Sequence, residues 1–362
     1  MKHDSLYRPA ELYRPCFLCP RRCGALRESA AYCGETADLR IACANIHRGE
    51  EPPLTGITGD DPGGGSGTIF ISGCNLRCVF CQNYQISLGL TSMSNPKTEF
   101  SEKTPHCYSP VIHDRHYHAP LGRIVDTGEF ARICLALQDR GAENINIVTG
   151  THAVPAIIQG INAAKAAGLA IPVLWNSSAY EVPETLELLL DTVDVFLPDL
   201  KTLDRTISQR YYNAPDYPDI AVAAIKKMLA MKQLFFMEQR LVSGLLVRHL
   251  VLPGYLENSR TVLRWFADNC AGKALLSLMF QFTPVYSGTC EVQGGIFQHP
   301  QRYITRKEYE TVMDWLVEFD INDGYCQELV PGNSDWLPDF NKANPFPSDL
   351  SVPIWHWKNG FL

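Results

Sequence analysis

Three cysteines spaced C-x3-C-x2-C, Cys74, Cys78 and Cys81, follow directly on the apolar run Ile69, Phe70 and Ile71, which Gly73 closes. The run predicts a short strand and the glycine its end. Three thiolates on one loop can hold three corners of a cubane [4Fe–4S] cluster, which normally takes four ligands. The missing fourth ligand leaves one iron open to something other than protein. Zinc is the competing reading of close cysteines, but zinc sites usually join a C-x2-C to a second pair. No second pair follows nearby downstream.

Thirteen cysteines are present, an odd number, and at least seven sit in ligand-like spacings. That usage fits a reducing compartment and metal ligation better than a disulfide framework. The first fifteen residues carry no apolar core of a signal peptide, and no run of 18 apolar residues appears. The expectation is a cytoplasmic protein with no membrane partner. A net charge of −7 argues against a nucleic-acid partner.

A second cysteine group lies near the start: Cys16, Cys19, Cys23 and Cys33, in CFLCPRRCG and the following loop. Pro20 and Gly24 suit tight turns that would aim the sulfurs inward. Two metal readings compete here, a structural Zn²⁺ and an auxiliary iron–sulfur cluster, and spacing does not separate them. Reduced cysteines with no metal are the third reading; Cys43 reads as a buried spare. Residues 1–55 are read as a cysteine-rich module, 56–67 as a flexible glycine-rich link, and 68–328 as a core. Residues 91–125 interrupt that core without any apolar period. They hold His106, His113, His116 and His118 with Cys107, on spacings that favour a solvated insertion over a metal site. Residues 329–362 carry Trp336, Trp355 and Trp357, an aromatic tail expected to pack on an edge of the core.

From Asp126 a regular alternation begins. Strands are expected at 144–148, 171–175, 193–197, 245–252 and 275–281, with helices between and after them. With the cluster-bearing strand this makes six βα units, and hence an α/β fold: an open (β/α)6 partial barrel with parallel strands. Chemistry in such barrels gathers at the C-terminal strand ends. There stand Thr149, Thr151 and His152, then Asn176, whose amide suits a ribose or carboxylate. Next come Asp199 and Lys201, an acid and a cation that together suit a zwitterion. Arg248, inside an otherwise apolar strand, needs a carboxylate partner, and that of a cofactor would serve. Gln281 follows the last strand.

The cysteine spacing, with Phe80 just before the last cysteine, resembles the signature of the radical SAM superfamily. The resemblance implies that S-adenosylmethionine chelates the open iron and is reductively cleaved to a 5′-deoxyadenosyl radical, with Phe80 near the adenine. It also implies a flavodoxin- or ferredoxin-like electron donor. The GGE-type motif expected after the second strand is absent, so Thr149 or Thr151 would take over its acceptor role. DVFLPDLK and VRHLVLPGY resemble the branch named after pyruvate formate-lyase activating enzyme, in its longer homologues with an N-terminal CxxCPxxC stretch. This implies cofactor contacts for Asp199, Lys201 and Arg248, and a glycyl radical enzyme as partner. Radical modification of a peptide or small molecule is the competing enzyme reading. A non-catalytic iron–sulfur or zinc protein is the reading of another class.

Overall fold

Short runs of isoleucine, valine and leucine, covered on both faces, make the strands at the centre of this molecule. The computed structural model describes residues 11–57, 63–87, 120–285, 289–292, 295–298, 300, 302–330, 332 and 337–362. The four histidines and Cys107 of the expected insertion, and Trp336, lie outside the described residues. The strands are β1 (Leu39–His47), β2 (Ser66–Ile71), β3 (Arg123–Val125), β4 (Ile145–Val148), β5 (Val173–Ser177), β6 (Val195–Pro198) and β7 (Phe235–Met237). They continue with β8 (Arg240–Leu250), β9 (Leu275–Met279), β10 (Thr289–Val292), β11 (Gly295–Gln298), β12 (Gly324–Cys326), β13 (Ser351–His356) and β14 (Gly360–Phe361).

Strands β2, β4, β5, β6, β8, β9 and β12 lie side by side in chain order, all parallel. The six expected strands are therefore the six expected neighbours, and β12 adds a seventh. Six helices flank or follow them: α1 (Thr127–Asp139), α2 (Val154–Ala166), α3 (Arg205–Tyr212), α4 (Tyr217–Met231), α5 (Leu256–Cys270) and α6 (Arg306–Glu318). Asp126 caps α1 by accepting the Glu129 N–H at 2.7 Å, and Thr305 with Glu308 forms a capping box on α6. The sheet stays open: β12 stands at one end of its strand order and β14 at the other. The fold is thus the expected open, parallel-rich α/β sheet of partial-barrel type.

Three stretches differ from the expectation. Residues 39–47, read as part of the cysteine-rich module, form β1, which pairs antiparallel with β2 and is nearly all buried. The aromatic tail does not merely pack on an edge; β13 adds to the sheet beside β1 and buries Trp355 completely. The glycine-rich stretch is not a flexible link in residues 63–67. A Cβ on Gly64 would lie 2.0 Å from the Gly141 carbonyl oxygen, and one on Gly67 2.5 Å from that of Asn144. These glycines let backbone touch backbone.

His249, on β8, is fully buried. Its Nδ1 lies 2.7 Å from the Leu200 carbonyl oxygen and its Nε2 2.9 Å from the Ser259 hydroxyl. A carbonyl only accepts, so Nδ1 carries the proton and the hydroxyl donates to Nε2. Burial pushes His249 down to about 4, against the opposing pull of that carbonyl. The unfolded chain, with its histidine at the ordinary 6.5, binds the proton first. The stabilisation from this group is therefore complete above about pH 6.5 and is lost as pH falls towards 4. Urea unfolding should show a loss on the order of 2–3 kcal/mol from this group between pH 7 and pH 4. His249→Gln should be less stable at pH 7 and should flatten that slope.

Candidate active site

The cysteine loop begins where β2 runs out. Gly73 turns the chain with φ 84°, and a Cβ there would lie 2.5 Å from Glu35 and 2.9 Å from the Cys33 carbonyl oxygen. Only glycine meets both demands. The Cys74 N–H donates to that carbonyl at 3.1 Å and the Val79 N–H to the Tyr211 carbonyl at 3.0 Å. The Asn75 amide donates to the Tyr180 carbonyl at 2.7 Å. Held on three sides, the loop presents Cys74, Cys78 and Cys81 to one cavity of about 480 Å³.

That cavity lies over the C-terminal ends of the parallel strands. Its wall takes Thr149 from the end of β4, Asn176 from β5, and Asp199 with Lys201 from just past β6. Arg248 from β8 and Gln281 beyond β9 complete the list of expected lining residues. The volume falls within the range of small-molecule and cofactor sites.

Burial pushes the Cys74 thiol up to about 12 and raises Cys78 and Cys81 as well. Without a metal all three are neutral thiols at pH 7; a bound iron centre supplies the positive charge that makes them thiolates. Among the described residues, no three Cys, His, Asp or Glu side chains close around a single ion. A cubane places its thiolates at separate corners, and three thiols lining one cavity suit three of them.

Lys201 Nζ lies 2.5 Å from Asp199 Oδ2, both about a quarter exposed. Burial pulls Lys201 down, but the carboxylate of Asp199 outweighs it and holds the ammonium well above the ordinary lysine range. The Lys201 N–H donates to the Tyr217 hydroxyl, which donates in turn to the Asp199 carbonyl. The pair therefore rests on a fixed backbone. Phe80 stacks edge-on to Phe282 at 5.5 Å and to Tyr212 at 5.9 Å, which fixes its ring in the cavity wall.

Two expectations need correction. Arg248 does not wait for a cofactor carboxylate: its Nε donates to Glu51 at 2.9 Å and its Nη2 to Glu51 at 2.5 Å and to Glu50. The sequence placed both glutamates in the N-terminal module, so their arrival beside β8 was not readable from spacing. Thr151 does not line the cavity; its hydroxyl donates to Glu181 at 2.9 Å. Glu181 is buried and also accepts from Trp175 Nε1 and the Ser177 hydroxyl. His152, next to Thr151, is buried, its Nε2 2.7 Å from the Ser72 carbonyl oxygen. Cys326, at the end of β12, also lines the cavity and was missed, because a three-residue strand leaves no periodic signal.

Residues 68–237 match the family model of the radical SAM superfamily. That segment is similar to radical SAM domains. Enzymes of the superfamily use a [4Fe–4S] cluster and S-adenosylmethionine. An uncharacterised protein of Methanocaldococcus jannaschii is 26% identical over 316 residues, 86% of this chain and 77% of the relative. Among solved structures, Streptococcus suis SuiB bound to S-adenosylmethionine aligns with TM-score 0.42 and 14% identity, over 70% of this chain and 48% of that one. A domain of pyruvate-formate lyase-activating enzyme from Bacteroides vulgatus aligns with TM-score 0.33 and 12% identity, over 48% of this chain and 89% of that one. This chain thus spans about half of SuiB. Among the described residues, no helix is long and apolar enough to cross a membrane.

The Arg248 arrangement generates a prediction for stability. Arg248 and Glu51 are both buried, their side chains 8% and 9% exposed. Removing Arg248 leaves both Glu50 and Glu51 uncompensated. Arg248→Met should cost about 3–5 kcal/mol in denaturant unfolding. A triple variant, Arg248→Met with Glu50→Gln and Glu51→Leu, should recover much of that loss; equal losses in the single and triple variants would contradict it.

Proposed function

We propose that this chain is a radical SAM enzyme in which Cys74, Cys78 and Cys81 hold a [4Fe–4S] cluster and S-adenosylmethionine occupies the adjoining cavity. The observation that carries the reading is the meeting of three half-buried thiols with the Asp199–Lys201 pair in one cavity. When bound, cluster and cofactor supply a carbon radical that takes hydrogen from a substrate, after one electron from a flavodoxin- or ferredoxin-like donor.

The chain's own residues hold and orient. Lys201 offers its ammonium to a carboxylate, while Asp199 offers an oxygen to an ammonium, so a zwitterion is gripped at both ends. Phe80 gives a flat apolar face for a purine. Asn176 adds an amide for a ribose or carboxylate, and Thr149 brings a backbone turn to the same wall. On the far wall Arg248 with Glu50 and Glu51 leaves one net negative charge facing the reacting space.

A cavity of about 480 Å³ must hold cluster, cofactor and reacting group together. That space suits a slender segment, such as a glycine-containing loop, or a small molecule. Resemblance in DVFLPDLK and VRHLVLPGY favours the loop, and so activation of a glycyl radical enzyme, with a cytoplasmic address. Radical modification of a small molecule or another peptide is the second reading. A glycine-centred signal in electron paramagnetic resonance on the partner separates the two.

The enzyme reading is tested by anaerobic reconstitution, reduction with dithionite and addition of S-adenosylmethionine, followed by chromatography for 5′-deoxyadenosine. The wild type should form it and Cys74→Ala should not. Lys201→Met should raise the S-adenosylmethionine concentration needed by about tenfold, ~1.4 kcal/mol. Equal behaviour of wild type and Cys74→Ala would refute the reading and leave a non-catalytic metal protein.

A further inference from the structure

Residues 11–38 contain no helix and no named strand; an isolated bridge between Tyr13 and Cys16 is their whole regular pairing. Their apolar cluster is Tyr13, Cys16 and Leu18, with Leu12 and Ala37 against it. A segment this size, with so small a core, needs a staple to hold one shape. Yet the segment is ordered in detail. The Cys16 N–H donates to the Ala25 carbonyl at 2.9 Å and the Gly24 N–H returns to Cys16 at 3.2 Å. The Arg22 N–H donates to the Cys19 carbonyl at 3.0 Å, with Arg22 at φ 41° and Gly24 at φ 62°. These tight turns gather thiols rather than pack side chains. Cys16, Cys19 and Cys33 are buried and Cys23 is exposed.

A second observation asks for negative charge at the same place. The Arg27 side chain belongs to a residue only 3% exposed. Its guanidinium donates to the Thr36 carbonyl at 2.6 Å, to the His152 carbonyl at 3.1 Å and to Cys16 Sγ at 3.6 Å. It makes no direct ion pair with a carboxylate among the described residues; Glu35 lies within electrostatic reach but gives its Oε2 to Arg40. A buried guanidinium without a direct partner is costly. Cys16 and Cys33 also face it, and they become thiolates when they bind metal.

We propose that Cys16, Cys19, Cys23 and Cys33 hold a second iron–sulfur cluster, with four protein ligands and Arg27 as its counter-charge. Tetrahedral zinc is the competing occupant of four cysteines, and metal analysis of the protein separates the two. The cluster also braces the first one. The Cys33 carbonyl accepts the Cys74 N–H, and Arg21 donates to the Asn75 carbonyl at 2.9 Å while lying over the Tyr32 and Tyr180 rings. Exposed Cys23 opens the second centre to solvent more than the half-buried Cys74, Cys78 and Cys81 open the first.

The test uses the full chain with Cys74, Cys78 and Cys81 all changed to serine, reconstituted anaerobically with iron and sulfide, desalted and analysed for iron, sulfide and zinc. This variant should keep about four iron and four sulfide per chain, and the wild type about eight of each. Cys19→Ser with Cys33→Ser in the otherwise native chain should fall from about eight to about four. One zinc and no iron in the triple variant, or about four iron in a wild type that Cys19→Ser with Cys33→Ser leaves unchanged, would overturn the proposal. The readout is metal content, so it stands apart from the radical reading: a wild type with eight iron that forms no 5′-deoxyadenosine would sink that reading alone.

Discussion

Desolvation of three sulfurs governs this structure more than any other single term. Cys74, Cys78 and Cys81 sit where burial keeps each thiol protonated. The loop that carries them has to be shaped by groups other than the metal, and it is shaped by borrowed carbonyls from Cys33, Tyr180 and Tyr211. Those three lie on three different segments of the chain, so the loop's geometry is a property of the whole fold. A metal arriving there meets a prepared concavity and contributes the charge that ionises the donors.

The parallel sheet supplies the rest of the concavity by a simple rule. Each strand ends at the same level, and each following turn offers one or two polar groups to the common space. Asp199 and Lys201 show how tightly this is held. The Leu200 N–H between them donates to the Arg248 carbonyl at 2.8 Å, and the Leu200 carbonyl is met by His249. Neighbouring strands thus clamp the turn from the side, and the ion pair inherits their rigidity.

Much of this was legible in the residues themselves. Strands such as Val195–Pro198 and Leu275–Met279 are short, mostly apolar runs, and helices such as Thr127–Asp139 open on a readable cap, so order and parallel pairing followed. Asp199, Lys201, Asn176 and Thr149 stand at the expected strand ends for the same reason. What escaped the reading depends on partners far apart in the chain. Arg248 announced a need for a carboxylate, but nothing local identified Glu50 and Glu51, about two hundred residues earlier. Thr151 resembled a ligand because its true acceptor, Glu181, lies thirty residues on. The glycines before β2 looked like freedom, whereas in three dimensions they mark backbones in contact.

Strand β1 has one further consequence. On one side it pairs with β2, close in sequence; on the other it waits for β13, where Cys43 meets His356. During synthesis β3 can pair Leu39–Ile41 early, but Cys43–His47 keep an open edge until Ser351–His356 have been made, and the cavity for Trp355 stays unfilled with it. A strand edge exposed for so long invites pairing with the wrong chain. For this protein the hazardous period therefore spans the synthesis of about three hundred residues, and ends when β13 closes the sheet.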